Sequence, residues 1–301
     1  MAITAPVVTG DFSGFLPPEL SAPIFEKARR SSAVQSLARQ IPLGANGQAI
    51  PVTTGKAVAG WVAEGAQKPA TKRTSTLKTI TPQKLAAITV VSAEVVRANP
   101  ADYIEQFRDD IAESFGVAFD MAALYDLGPD GTGTGPFSTF LAQTAKVVEL
   151  GTGATLHNDF VAALSALVAD GKKLTGFAID DTMEPLLLDA VDGQNRPLYL
   201  DLPYQDDTVA AARRGRLIGR PSYMVDGIAV GDVLGFAGDW RECAWGVVGG
   251  ITYDVSTEAT VTINGNLVSL WENNLVAIRA EAEYGWLCND TAAFVEIQDA
   301  T

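Results

Sequence analysis

Few residues in this chain have the type and spacing that chemistry requires. Its one histidine, His157, lies in Leu156-His157-Asn158-Asp159, just ahead of a predicted helix. A general base or a catalytic triad could use it, but no Gly-x-Ser-x-Gly elbow or reactive-cysteine context accompanies it. Cys243 and Cys288 are scattered and suggest no disulfide framework, so a reducing compartment fits best. Cys243 sits between an acid and apolar residues, where nothing lowers a thiol pKa. Asp180-Asp181 and Asp206-Asp207 could pass for the paired carboxylates of a glycosidase, but adjacent aspartates are far more often caps and loop residues. The glycine-rich run Asp126–Pro136 invites a phosphate-binding reading. It follows a helix rather than a strand, and no Lys-Ser or Lys-Thr succeeds it. Asp126 and Asp130 lack the acidic spacing of a calcium loop. Five tryptophans could line a sugar groove, yet Trp240, Trp245, Trp271 and Trp286 fall in the C-terminal stretch, where core packing is expected. No catalytic, cofactor or metal residue is nominated, and the reading is of a protein that is not an enzyme.

The elements around these residues are easier to read. The 301 residues, 47% hydrophobic and 19% charged, fit one large domain or two smaller ones. No apolar run is long enough to span a bilayer, and no secretory signal is visible. Net charge is −14, unevenly spread: Met1–Pro100 carries 11 basic and 5 acidic residues, and the remainder stands at −20. A basic first third on an acidic body predicts complementary surfaces between copies. The acidic body disfavours nucleic-acid binding, which needs clustered Lys and Arg.

The first forty residues read as an extended arm with a helix candidate from Ile24 to Leu37 and basic residues Lys27, Arg29, Arg30 and Arg39. Residues 48–91 read as long strands. Gly60–Glu64 leads to a turn at Gly65–Pro69, and Thr71–Ile80 is rich in threonine but almost empty of apolar residues. A strand with two polar faces cannot bury itself in its own core, so this hairpin is predicted either to stay solvated or to find its partner on another molecule. Leu85–Val91 should return to the core. Asn99–Leu127 predicts a long amphipathic helix with Asn99 as cap, Pro100 in the first turn and Gly128 as stop. Its apolar stripe is Ile104, Phe107, Ile111, Phe115, Ala118, Phe119 and Ala122. A second helix is predicted over Asp159–Ala169, a buried strand at Phe177–Ile179, and a third helix capped by Asp181 and ended by Gly193. Strand–helix alternation here indicates a mixed α/β domain. The C-terminal stretch alternates as strands, with Asn264-Gly265 as a hairpin turn.

Several phrases carry a family resemblance: Gly235–Trp240, Gly249–Ser256, Asn274–Glu281 and Ala293–Ile297, with Arg196–Tyr199 and Leu217–Pro221 before them. From about Phe15 to Ile297 the order of elements resembles the major capsid proteins of tailed bacteriophages, the Hong Kong ninety-seven fold. That resemblance implies an α+β phage capsid fold with an N-terminal arm (1–45), an extended β-hairpin or E-loop (46–90) and a peripheral domain with a spine helix (91–150). A mixed α/β axial domain (151–255) and C-terminal strands returning to the peripheral domain (256–301) complete it. It implies a structural protein that self-assembles into hexamers and pentamers of an icosahedral virion shell. Such a shell encloses double-stranded DNA without binding it specifically and forms in the host bacterial cytoplasm. A scaffolding protein, a portal and a decoration protein are the implied partners, and no membrane or cofactor is implied. The intersubunit residues expected from hairpin and arm are Arg29, Arg30, Trp61, Glu64, Lys68, Lys72, Arg73 and Lys78. Many relatives begin with a scaffolding segment that is later removed. This chain opens almost directly into the arm, so scaffolding is either separate or already trimmed. Two alternatives are an encapsulin-like nanocompartment shell and an acidic soluble hydrolase using His157 or an aspartate pair.

Overall fold

The computed structural model describes residues 32–55, 57–65, 67–68, 70–98, 103–153, 155–191, 196–197, 199–201 and 213–299. Arg29, Arg30, the proposed cap at Asn99, the proposed stop at Gly193 and the Asp206-Asp207 pair lie outside them. So do residues 24–31 of the predicted arm helix; the described α1 (Ala33–Leu37) starts at its own cap, the extended Ser32, so the helix predicted over Ile24–Leu37 is not continuous through that residue.

Among the described residues, two large sheets and two two-stranded hairpins make up the β-structure. The first contains β1 (Arg39–Gln40), β4 (Gln83–Ser92), β11 (Cys243–Ser256) and β14 (Leu275–Cys288), in the order β1-β11-β14-β4. Its long pair is antiparallel from Cys243↔Cys288 to Ser256↔Ala277, with a register shift between Val248 and Thr252. Gly249 and Gly250 make that shift at φ +70° and +84°, a region glycine enters without Cβ strain. The second sheet has seven strands: β5 (Val147–Leu150), β6 (Gly176–Asp180), β7 (Tyr199–Asp201), β8 (Arg213–Leu217), β9 (Arg220–Val225), β10 (Val233–Gly238) and β15 (Phe294–Asp299). Their order is β5-β15-β10-β6-β9-β8-β7, which places β6 at the centre with every residue buried. A central strand covered on both faces has no polar side to alternate, hence Gly-Phe-Ala-Ile.

The long helix α3 (Tyr103–Tyr125) lays Phe107, Ile111, Phe115 and Phe119 on the first sheet. Ile111 and Phe115 pack with Ala280 and Ala282, and Phe119 meets Trp245, Tyr284 and Trp286 at ring centroid distances of 5.9, 5.3 and 6.1 Å. The helix ends earlier than predicted. Gly128 is not the stop: Asp126 takes the left-handed conformation (φ +56°), and its N–H closes on Ala122 O at 3.0 Å. An Asx side chain tolerates that region, and here Asp126 Oδ1 also accepts from Phe137 N at 2.9 Å.

On the seven-stranded sheet, α4 (Leu156–Ala169) buries Phe160, Ala163 and Leu167 against Phe177, Ile179, Val295 and Ile297. It starts three residues before the predicted Asp159, because Thr155 is the cap and accepts from Asn158 N. Asp159 is instead buried, accepting from Gly151 N (2.9 Å) and Gly153 N (2.8 Å), so it fastens the preceding loop. The third helix, α5 (Glu184–Asp189), is reached through a 3-10 turn capped by Asp180, not Asp181. Asp180 Oδ1 accepts from Thr182 N at 3.0 Å where the chain leaves β6. Two hairpins leave these layers: β2 (Gln48–Gly55) with β3 (Thr74–Ile80), and β12 (Thr260–Ile263) with β13 (Asn266–Ser269). Asn264 and Gly265 turn the second at φ +51° and +80°, as their sequence predicts.

Candidate intersubunit surface

The arm is rooted on the spine helix. Ser32 caps α1 and accepts from Gln35 N at 3.0 Å. Its hydroxyl donates to Asp120 Oδ1 at 2.5 Å, and Ala33 N donates to Asp120 Oδ2 at 2.9 Å. Asp120, buried near the C-terminal end of the long helix, therefore holds the start of α1 against it.

Among the described residues, the β2–β3 hairpin is anchored to the rest of the subunit at its base. Ile80 is fully buried with Ile41 and Leu43, and Lys78 Nζ donates to the Asn289 carbonyl of its own chain at 2.7 Å. Lys78 is thus engaged inside the subunit. Further out, Arg73 Nη2 donates to Thr53 Oγ1 at 2.7 Å and ties the two strands together. Beyond that point both faces lie in solvent. Val58 is 71% exposed there and Trp61 fully so at 106%, and within β3 Leu77 is 73% exposed. Val58 and Trp61, with Val62, Lys68 and Thr71, line a shallow open concavity. Glu64, Lys68 and Lys72 are exposed, and none forms an ion pair among the described residues. The loop therefore combines an unburied indole with uncompensated cations. Neither is stable to leave idle in a chain that can bring up a second surface.

Trp271 is a correction to the expected packing: it is 73% exposed beside the β12–β13 hairpin, whereas Trp240, Trp245 and Trp286 are core residues. Composition does not tell which of several tryptophans a hairpin will carry outward. Sequence reasoning also missed the relation of the two cysteines, which face each other across β11 and β14 as free, buried thiols.

The chemical candidates have other duties. His157 lies inside the first turn of α4, not before it, and its Nδ1 is buried without a partner. Asp180 is 2% exposed and accepts from Thr182 N and from Ala229 N at 2.8 Å. Burial pushes that carboxyl up, but the hydrogen bonds from Ala229 and Thr182 together hold it below the ordinary range. The glycine-rich loop spends amides on itself: Gly128 N donates to Thr132 O, Gly131 N to Gly128 O and Gly135 N to Asp126 O. Among the described residues no group of three His, Cys, Asp or Glu side chains could hold a metal ion. Nor is any described helix long and apolar enough to cross a membrane.

Comparison with known proteins agrees with the order of these elements. The profile of the phage capsid family matches residues 13–299. The chain belongs to the phage capsid family. It is 46% identical over 310 residues to the probable major capsid protein gp17 of Mycobacterium phage L5, covering 97% of this chain and 93% of that one. Solved structures from Gordonia phage Cozz and Microbacterium phage Oxtober96 superpose with a TM-score of 0.73 each, at 20% and 21% identity. They cover 97% and 98% of this chain, and 94% and 100% of their own. At that identity the two structures establish the shared fold. This capsid chain is a self-assembling structural protein, and the nanocompartment and hydrolase alternatives fall away. Its long helix and four-stranded sheet, its seven-stranded sheet and its outlying hairpin are the parts of that mixed α/β capsid fold.

Proposed function

We propose that copies of this chain join as hexamers and pentamers into an icosahedral shell around phage double-stranded DNA. The arm and the β2–β3 hairpin are the reaching elements. One observation carries this reading: the hairpin is a formed structure whose outer part has no subunit core to lie on, with Trp61 fully exposed. Trp61 supplies apolar contact to a neighbour, and Lys68, Lys72 and Arg73 meet carboxylates of its acidic body. Arg29 and Arg30 act likewise from the arm, Glu64 pairs with a basic group across the same contact, and Lys78 sets the hairpin's base. One chain can close rings of two sizes when its contacts tolerate a small change of rotation.

The division into arm (1–45), extended hairpin (46–90), peripheral domain (91–150), axial domain (151–255) and C-terminal return (256–301) belongs to the same proposal. A scaffolding protein, a portal and a decoration protein are its proposed partners, and the host bacterial cytoplasm is the proposed place of assembly. DNA is enclosed rather than gripped, because the −14 chain repels phosphate. Removal of Gly65–Thr76 tests the hairpin's part. The subunit should fold but build no stable shells, and equally stable particles from the deletion would refute the assignment.

A further inference from the structure

Both cysteines of the chain lie in one place. Cys243 opens β11 and Cys288 closes β14, and the register sets them directly opposite each other. Directly opposed residues of an antiparallel pair point to the same face. Both are 1% exposed and lie in the cluster that holds Trp240, Trp245, Trp286 and Phe294.

Three contacts fix the kind of pair. Asn289 N donates to Glu242 O at 2.8 Å, so the neighbouring couple Glu242 and Asn289 is a hydrogen-bonded one. The two kinds alternate along a ladder, which makes Cys243 and Cys288 a non-hydrogen-bonded couple. In agreement, Cys288 N turns away from β11 and donates to Thr139 Oγ1 at 3.3 Å. Two residues along, Trp245 O turns away from β14 and accepts from Ile41 N at 2.8 Å. In such a couple the Cα atoms stand about 4.5 Å apart and the side chains are at their closest. A disulfide spans Cα separations of about 4.4–6.8 Å, so the backbone already has the geometry the bond requires.

We propose that Cys243 and Cys288 are a modification site: a two-electron oxidant converts them to an intrasubunit disulfide that staples β11 to β14. With hydrogen peroxide, one thiol becomes a sulfenic acid and releases water. The second thiol then attacks that sulfur, forms the S–S bond and releases a second water. With a diazene such as diamide, the N=N bond takes up both hydrogens as the thiols lose them. Burial, then the neighbouring Cys288 thiol, push the Cys243 thiol well above its ordinary value. Little thiolate is therefore present at neutral pH, and the pair stays reduced where glutathione is abundant. The chemistry becomes available once the protein leaves a reducing compartment. It requires no movement of the sheet, so the oxidised subunit keeps its shape and its assembly contacts.

Trypsin isolates the two sites cleanly, because Arg279 is the sole Lys or Arg between Glu242 and the last residue, Thr301. The folded full-length subunit is treated with diamide, quenched with N-ethylmaleimide under denaturing conditions and mapped without reduction. The peptides 242–279 and 280–301 should appear joined, their alkylated forms should vanish together, and the denatured chain should keep the mass of one 31.7 kDa subunit. Oxidation should also raise the unfolding temperature by several degrees, and dithiothreitol should reverse the rise. Cys243→Ser and Cys288→Ser should each keep one alkylated peptide and show no oxidant-dependent shift. Full alkylation of both sites after a treatment that oxidises the unfolded chain would overturn the proposal, as would linkage found only in dimers. The wild-type map stands by itself if either variant fails to fold.

Discussion

Truncating Trp61 to alanine separates folding from assembly. The indole is fully exposed in the subunit, so its removal takes away no buried contact there. The free chain should unfold at its usual temperature, with a change within about 0.5 kcal/mol, as for surface substitutions in general. Assembly is where the cost falls. Truncation of an indole removes ~150 Å² of surface available for burial, worth about 4 kcal/mol at ~25 cal/mol per Å² if a neighbour covers it completely. Half cover leaves about 2 kcal/mol, or a factor of roughly 30 in the affinity of each contact. A shell repeats that loss in every subunit, so the concentration needed to form particles should rise by at least that factor. The assay pairs thermal unfolding of the free subunit with light scattering over a concentration series. Particles forming at the wild-type concentration would refute the reasoning, and so would a subunit destabilised by more than about 1 kcal/mol, a loss an exposed side chain should not cause.

Charge reversal at Arg29, Arg30, Lys72 and Arg73 together should impair particle yield more than reversal of an equal number of acids in the body. The wild-type contacts should weaken with salt as the Debye length falls from about 10 Å at 0.1 M to about 3 Å at 1 M; equal losses from the two sets would show the charge asymmetry to be inert. Burial raises the Glu296 carboxyl above its ordinary value, and the hydrogen bond from Gln298 only partly offsets it. The folded state then holds that proton more tightly than the unfolded state, so stability falls as pH rises through the window between the ordinary and the raised value. Glu296→Gln should therefore raise the unfolding temperature near about pH 7 and leave it unchanged at about pH 3, as measured by calorimetry. Asp180 is shifted the other way, so its contribution is present above the ordinary carboxylate value and lost as pH falls through its lowered one. Asp180→Ala should cost about 1–3 kcal/mol in denaturant titrations at neutral pH by orphaning the Ala229 and Thr182 amides.

The spine helix was legible because one stripe does one job: Phe107, Ile111, Phe115 and Phe119 all meet the sheet and its tryptophans. The polar hairpin was legible for the converse reason, since Thr74–Thr79 offers neither face to a core. Cap chemistry misled where two carboxylates compete. Asp181 has the right type, but the turn out of β6 is capped by its neighbour Asp180. The cysteine couple was out of reach, because it depends on a register set over the whole of β11 and shifted once at Gly249-Gly250. Lys78 looked like a free hairpin cation, and only the fold back onto Asn289 shows it to be engaged. The type of the intersubunit residues could be read from sequence, but which of them have no partner at home required coordinates.

Electron microscopy of particles containing this chain, from virions or from expression under assembly conditions, tests the central claim most directly. The account predicts closed icosahedral shells of hexamers and pentamers, with density for the 56–73 loop and Trp61 lying on an adjacent subunit. A protein that stays monomeric under every assembly condition and is found in no particle, or shells in which that loop touches no neighbour, would contradict it.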